Sequence, residues 1–174
     1  IWIMDVEAGR FTYVSPSVER LRGYTVEEVM AQDVSESLTP PSAKKLAEEL
    51  PKRIAGFLQG DTEPRTDEVE QPCRDGKTVW TESTTRFVRV PDTGKLLVYG
   101  VSRDITARKK VEQALRESEE KFRKAFETSP EVITINRASD GVYVSVNKGF
   151  TDKTGFSAEE VIGKGIAEIG LWAF

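Results

Sequence analysis

The chain has 174 residues, 38% hydrophobic and 31% charged, enough for one ordinary domain or two small ones with a buried core. No apolar run approaches the roughly 18 residues that a membrane-spanning helix needs, and 25 basic against 29 acidic residues leave a net charge of −4, with no basic excess to neutralise a nucleic-acid backbone. Histidine is absent and Cys73 is the one cysteine, which excludes imidazole triads and metal sites, His-ligated haem, phospho-accepting histidine, an internal disulfide and a thiolate zinc site within these residues, and marks no oxidising compartment.

Ile1 already stands in a strand-like run, with neither Met nor a signal peptide before it, as expected of a segment of a longer protein. IWIMDV and RFTYV read as short strands joined across Ala8-Gly9, and Ser15-Pro16 sets a capping residue before a helix-tolerated proline. Thr25-Val26-Glu27-Glu28 is a capping box, in which hydroxyl and carboxylate each satisfy a free backbone N–H of the first helical turn. From Ser42 onward Leu46, Leu50, Ile54, Phe57 and Leu58 share one side of an amphipathic stretch, which Pro51 is expected to kink or split. After Gly60 the pattern changes to strands: DEVEQPC and KTVWTESTTRFVRV meet at Arg74-Asp75-Gly76, and KLLVYGVSRDIT follows Pro91-Asp92-Thr93-Gly94, two hairpin signals. A highly charged helix comes next, with acid-before-base pairs such as Glu117 and Lys121, each worth a few tenths of a kcal/mol. Val111, Leu115, Phe122 and Ala125 form its single apolar stripe, and it ends before Pro130. Strand pairs on both sides of a helical middle imply an α+β architecture, one antiparallel sheet with helices on a face.

The opening segment repeats. With Gly23 laid on Gly155, an offset of 132 aligns without a gap Ile3 with Ile135, Gly9 with Gly141, Val14 with Val146 and Glu27-Glu28-Val29 with Glu159-Glu160-Val161. The second capping box, Ser157-Ala158-Glu159-Glu160, begins a helix at the same point. The reading is a first domain over 1–106, an amphipathic linker helix over 107–128, and over 129–174 the front half of a second domain of the same type. Without three closing strands, VITIN and VYVSV should leave unpaired edges that are disordered, swapped onto another chain or packed on the first domain.

Gly23-Tyr24-Thr25 with Glu27-Glu28-Val29, then Arg74-Asp75-Gly76-Lys77 with Trp80 and Glu82, then Gly100-Val101-Ser102-Arg103-Asp104-Ile105-Thr106, in this order, resemble the PAS (sensory-box) family with its C-terminal PAC motif. Gly155-Phe156-Ser157-Ala158-Glu159-Glu160-Val161-Ile162-Gly163, closing on Ile169-Gly170-Leu171-Trp172, is similar to the same family. The resemblance implies a PAS fold with a five-stranded antiparallel sheet and a non-catalytic, cytoplasmic signal-input module. It also implies a multidomain bacterial sensor in which the output domain of the same chain is a histidine kinase, with a diguanylate cyclase or phosphodiesterase as the alternative. A ligand-free dimerisation or interaction module is the rival from another class. No glycine-rich phosphate loop or nucleophile elbow points to an enzyme.

At the exit, Asp104, Ile105 and Thr106 stand where strand becomes helix, and Asp104 and Thr106 are types that accept from the free N–H groups of a first turn. That makes them candidates for signal relay. The resemblance also raises haem, flavin and small metabolites as ligands. His-ligated haem fails for want of His, and nothing here resembles the Asn-Cys-Arg-Phe-Leu-Gln of the flavin-adduct subfamily, while Cys73 lies beside a turn. A small metabolite remains, and no metal is expected. Alternation places Val79, Thr81, Ser83, Thr85 and Phe87 on one face of their strand and Trp80, Glu82, Thr84, Arg86 and Val88 on the other. Thr81, Ser83 and Thr85 beside Tyr99 and Phe57 could line a pocket with apolar walls and few polar groups; alternatively Tyr99 and Phe57 fill the core and the hydroxyls face water. The linker stripe Val111, Leu115, Phe122 and Ala125 has two readings, pairing in a homodimer or covering a sheet within the chain, and the first is preferred. PAS surfaces are a second route to a dimer, and neither nucleic acid nor membrane is expected as a partner.

Overall fold

A computed structural model describes residues 1–171, which fall into two compact units, the first ending at Lys110 and the second beginning at Val111. In the first, strands β1 (Trp2–Asp5) and β2 (Arg10–Val14) lead into helices α1 (Ser17–Arg22) and α2 (Val26–Ala31), a 3₁₀ turn at Val34–Ser37 and the long helix α3 (Pro40–Leu58). Strands β3 (Arg65–Pro72), β4 (Thr78–Arg89) and β5 (Leu96–Asp104) follow, and α4 (Thr106–Thr128) leaves the unit. The five strands form one antiparallel sheet in the order β2-β1-β5-β4-β3.

Period-two alternation sorts the residues of that sheet. Met4, Val69, Val79, Leu96 and Val98 are buried on its inner face, whereas Tyr13, Tyr99 and Val101 are exposed on the outer one. On β5 the inward set is therefore Leu96, Val98, Gly100 and Ser102. A Cβ on Gly100 would overlap the Trp2 indole, so glycine is required where this ring crosses the sheet. The Thr25 capping box forms as expected, the hydroxyl accepting from Glu28 N–H and the Glu28 carboxylate from Thr25 N–H. Gly23 ends α1 at φ 79°, a left-handed turn for which glycine pays no steric penalty.

Helix α3 is not split at Pro51. The helix starts at Pro40, behind Thr39, and runs unbroken through Pro51. Pro51 removes one N–H, and the carbonyl left over belongs to Ala47; both residues are exposed, so water can satisfy it. Ser42 lies inside the helix rather than at its start, and its buried hydroxyl accepts from Glu70 N–H at 2.9 Å, tying α3 to β3.

The second unit contains the remainder of α4, then β6 (Thr134–Asn136), β7 (Tyr143–Val146), α5 (Lys148–Thr154), α6 (Ala158–Val161) and α7 (Ile166–Ile169). Strands β6 and β7 pair with each other over a core of Tyr143, Val146, Phe150 and Val161. Asn147, 1% exposed, knits this unit together. Its carbonyl accepts from Ile133 and Phe150 N–H, and its amide donates to the carbonyls of Phe126, Ser129 and Glu131. Gly149 lies so close to the Ser129 and Glu131 carbonyls that a Cβ there would strike both.

Candidate functional site

Between the inner sheet face and helices α1–α3 of the first unit lies a cavity of about 120 Å³. Met4, Phe11, Leu46, Leu50 and Val98 supply apolar wall. One side carries a chain of hydrogen bonds: Trp2 Nε1 donates to Ser102 Oγ at 2.9 Å, and Ser102 Oγ lies 2.8 Å from Ser83 Oγ. Trp2 comes from β1, Ser102 from β5 and Ser83 from β4, so the chain joins the three central strands at the cavity.

Arg53 of α3 and Asp67 of β3 also line the cavity. They form a two-pronged ion pair at 2.6 and 2.8 Å, and their side chains are only 18% and 16% exposed. The Arg53 guanidinium holds the Asp67 carboxyl below the usual carboxylate range, and Asp67 in turn raises Arg53. The pair is neutral as a unit. Arg22, at the end of α1, is 3% exposed; its Nε donates to the Pro72 carbonyl at 3.0 Å and its guanidinium lies 5.2 Å from the centre of the Tyr24 ring.

Ser83 and Thr85 line the cavity. Thr81 shares their face but is 0% exposed, its hydroxyl directed at the Val69 carbonyl and the Gln71 side chain, so it is wall structure rather than lining. Phe57 stands behind the lining, its ring 5.7 Å from that of Phe87. Tyr99 is corrected outright: it is 42% exposed on the outer sheet face, and neither lines the cavity nor fills the core. The lining residues absent from the sequence-based set include Trp2, Arg22, Ser37, Arg53, Asp67 and Ser102. Ser102 shares the inward face of β5 with Val98, a face that the neighbouring strands decide. Cys73 lies outside the cavity lining, where burial pushes its thiol up.

At the exit, the Asp104 carboxylate accepts from Thr106 N–H at 2.8 Å, the expected capping role. Thr106 differs: its hydroxyl accepts from Trp80 N–H on β4 at 3.1 Å, and Ile105, 6% exposed, donates its N–H to the Trp80 carbonyl at 2.9 Å. Arg108 pairs with Glu68 (2.6 Å), Lys109 pairs with Glu68, and the Lys109 ammonium lies 5.3 Å from the centre of the Trp80 ring. The first turn of α4 is thus fastened to the outer side of β3 and β4. Farther along, Val111, Leu115 and Phe122 are 69%, 59% and 57% exposed, and Ala125 is exposed as well. The Phe122 ring stacks on that of Phe126, which is buried in the second unit.

A PAS-domain family model matches residues 1–107, and a second PAS-domain model matches residues 120–173. A sensory box histidine kinase/response regulator from Burkholderia thailandensis is similar in structure, with a TM-score of 0.55 and 23% identity over 71% of this chain and 88% of that one. The N-terminal domain of a diguanylate cyclase with PAS/PAC sensor from Marinobacter aquaeolei gives a TM-score of 0.50 at 18% identity, covering 62% of this chain and 94% of that one. In sequence, the uncharacterized protein y4lL of Sinorhizobium fredii is 27% identical over 164 residues, 94% of this chain. The chain spans about a fifth (19%) of the length of that relative. The chain belongs to the PAS-domain family, a family of sensory, non-catalytic modules, and its first unit has the α+β PAS fold. Among the described residues no helix is long and apolar enough to cross a membrane. Trp172, the last residue of the motif that marks the second copy, lies outside the described residues.

Proposed function

We propose that residues 1–107 hold a small molecule, and that its presence is relayed through Asp104, Ile105 and Thr106 into α4 and on to an output domain of the same chain, a bacterial sensor histidine kinase. The observation that carries this reading is the double role of β4. Its inner residues Ser83 and Thr85 line the cavity, and its Trp80 backbone holds the start of α4 at both N–H and carbonyl. A ligand that shifts β4 therefore moves the anchor of the helix, by no more than its difference in affinity between the two arrangements permits.

The exposed stripe of Val111, Leu115, Phe122 and Ala125 supports the homodimer reading, because apolar side chains at helical spacing are what a second copy of α4 would cover. A pure dimerisation module without ligand rests on the same stripe. A cyclase or phosphodiesterase output is the second reading for the parent; the Marinobacter neighbour is a diguanylate cyclase, as the Burkholderia one is a histidine kinase/response regulator.

Native mass spectrometry of the chain, before and after denaturation, tests the ligand; hydrogen exchange of α4 with and without it tests the relay. A mass excess lost on denaturation, with altered exchange at 106–110 that Thr106→Val removes while binding persists, is the expected result. A ligand-free dimer with unchanged exchange would leave the dimerisation module.

A further inference from the structure

The cavity contains two polar groups that the protein does not satisfy. Arg22 Nη2 and Ser37 Oγ are buried without a hydrogen-bond partner among the described residues, although both residues line the cavity and are 3% and 1% exposed. Such groups are costly to bury unless something meets them. The rest of Arg22 is committed to Pro72 and Tyr24. Arg53, the other guanidinium in the lining, is neutralised by Asp67, whereas no ion pair is found for Arg22 among the described residues. Burial lowers the Arg22 pKa, from a value so high that the side chain stays charged. The cavity thus presents one uncompensated positive charge.

The segments that carry the two groups are both tied to the Glu70–Pro72 stretch of β3. Arg22 bonds to Pro72, and Thr39, two residues after Ser37, donates its N–H to the Glu70 carbonyl at 2.9 Å. Gln71, between Glu70 and Pro72, also lines the cavity. Much of the remaining wall is apolar, Met4, Phe11, Leu46, Leu50 and Val98 among it. A volume of about 120 Å³ is close to the roughly 150 Å³ that accommodates benzene in an engineered cavity.

We propose that the ligand of this domain is a small apolar monocarboxylate, of short branched-chain or benzoate size, whose carboxylate accepts from Arg22 Nη2 and Ser37 Oγ while its body lies along the apolar wall. The proposal rests on the reading of residues 1–107 as a ligand-holding domain. One guanidinium N–H and one hydroxyl match the two oxygens of a carboxylate and fall short of a phosphate, which needs more donors for its greater charge. Water would satisfy the hydrogen bonds but leave the charge.

The test is calorimetric titration of the whole chain with benzoate, isovalerate and hexanoate, with the amide of each, and with toluene as an apolar probe. At least one acid should bind ten times more tightly than its amide. Arg22→Gln should abolish that preference. Because Arg22 also holds Pro72, its variant is checked by circular dichroism. Ser37→Ala gives an independent arm, since its hydroxyl has no partner to lose: the melting temperature should stay within a degree or two while acid binding weakens several-fold. Acids and amides binding alike, or amides binding better, with no response to either variant, would overturn the anion site and leave a neutral-ligand pocket. No binding by acids, amides or toluene would remove the ligand reading itself and the proposal with it.

Discussion

The two copies of the opening motif can be compared residue by residue at the offset of 132. The pairings Trp2 with Val14, Ile3 with Tyr13 and Met4 with Phe11 recur as Thr134 with Val146, Ile135 with Ser145 and Asn136 with Tyr143, with the same register shift after the second pair. Even the isolated bridge Arg10–Asp33 returns as Val142–Gly165. The core positions match too, Phe11, Val14, Val18 and Val29 in the first copy becoming Tyr143, Val146, Phe150 and Val161 in the second. What differs is how each copy uses the space. The first has a valine at position 18, a buried arginine at 22 and a cavity, with three more strands beyond. The second has Phe150, 0% exposed, and Thr154, whose hydroxyl donates to the Phe150 carbonyl, and replaces Ser15 with the five-bonded Asn147. One backbone plan therefore carries different side chains at its core positions, and in the first copy α3 and three further strands complete the walls of a cavity.

Substitutions that exchange these side chains bear directly on that contrast. Asn147→Ala should have the largest effect, a loss of about 3 kcal/mol from the second unit, because it leaves several buried backbone groups unsatisfied. Ser15→Ala should cost under about 1 kcal/mol, since among the described residues that hydroxyl bonds the Ile1 nitrogen and Ser17 Oγ at the surface. Urea unfolding with hydrogen exchange at 133–161 reads both, and equal losses would undo the contrast.

Phe150→Val, which gives the second copy the first copy's residue, should cost about 2 kcal/mol of core burial. Its mirror, Val18→Phe, should cost about 1 kcal/mol by overpacking and should close the cavity to any ligand. Calorimetric melting and ligand titration of the pair read the exchange; retained binding in Val18→Phe would show that position 18 does not control the space.

Acid should separate the copies more gently. The Asp67 pKa is lowered by Arg53, so its contribution is fully present above the unfolded value of about 4 and is lost as pH falls through the lower folded value. The second unit's comparable pair, Lys153 with Glu131, is exposed, 49% and 77%, and screened. Melts between pH 5 and 2 should therefore show the first domain losing stability through this pair, and Asp67→Asn should flatten the loss.

Glycine substitution is expected to have the smallest effect. Gly23→Ala and Gly155→Ala each place a side chain at positive φ, 79° and 76°, for about 1 kcal/mol. Gly23 should suffer slightly more, because its Cβ would lie 3.4 Å from that of Arg74, whereas nothing stands near Gly155.

The elements that announce themselves locally were legible in the sequence: both capping boxes, the hairpin turns and the ungapped repeat all rest on short-range chemistry. The inward face of β4 was legible because Thr81, Ser83 and Thr85 keep phase with Val79 and Phe87. On β5 the same logic is defeated, since Leu97, Tyr99 and Val101 are as apolar as Leu96 and Val98, and only the neighbouring strands decide which set is covered. Pro51 reads as a break because a helix-interior proline usually is one; the exposure of Ala47 and Pro51 is a tertiary fact. Arg22 hides for a similar reason. A basic residue in a helix's last turn reads as a solvated complement to the helix dipole, and its burial depends on β3, which lies 43 residues or more further along. Ser37 offers no signal at all by type or spacing.

The strand order places β1 and β5 side by side, with Trp2 opposite Gly100. Because the two run antiparallel, the polypeptide arrives at the start of β1 and departs past Asp104 on the same side of the sheet. A fold with neighbouring entry and exit behaves as a cassette: it can be spliced between two stretches of an existing gene product, or copied in series, without forcing the flanking segments apart. In such an arrangement the departing helix is the piece that meets a new neighbour, so the side chains on the inner face of the sheet can vary while the connection stays the same.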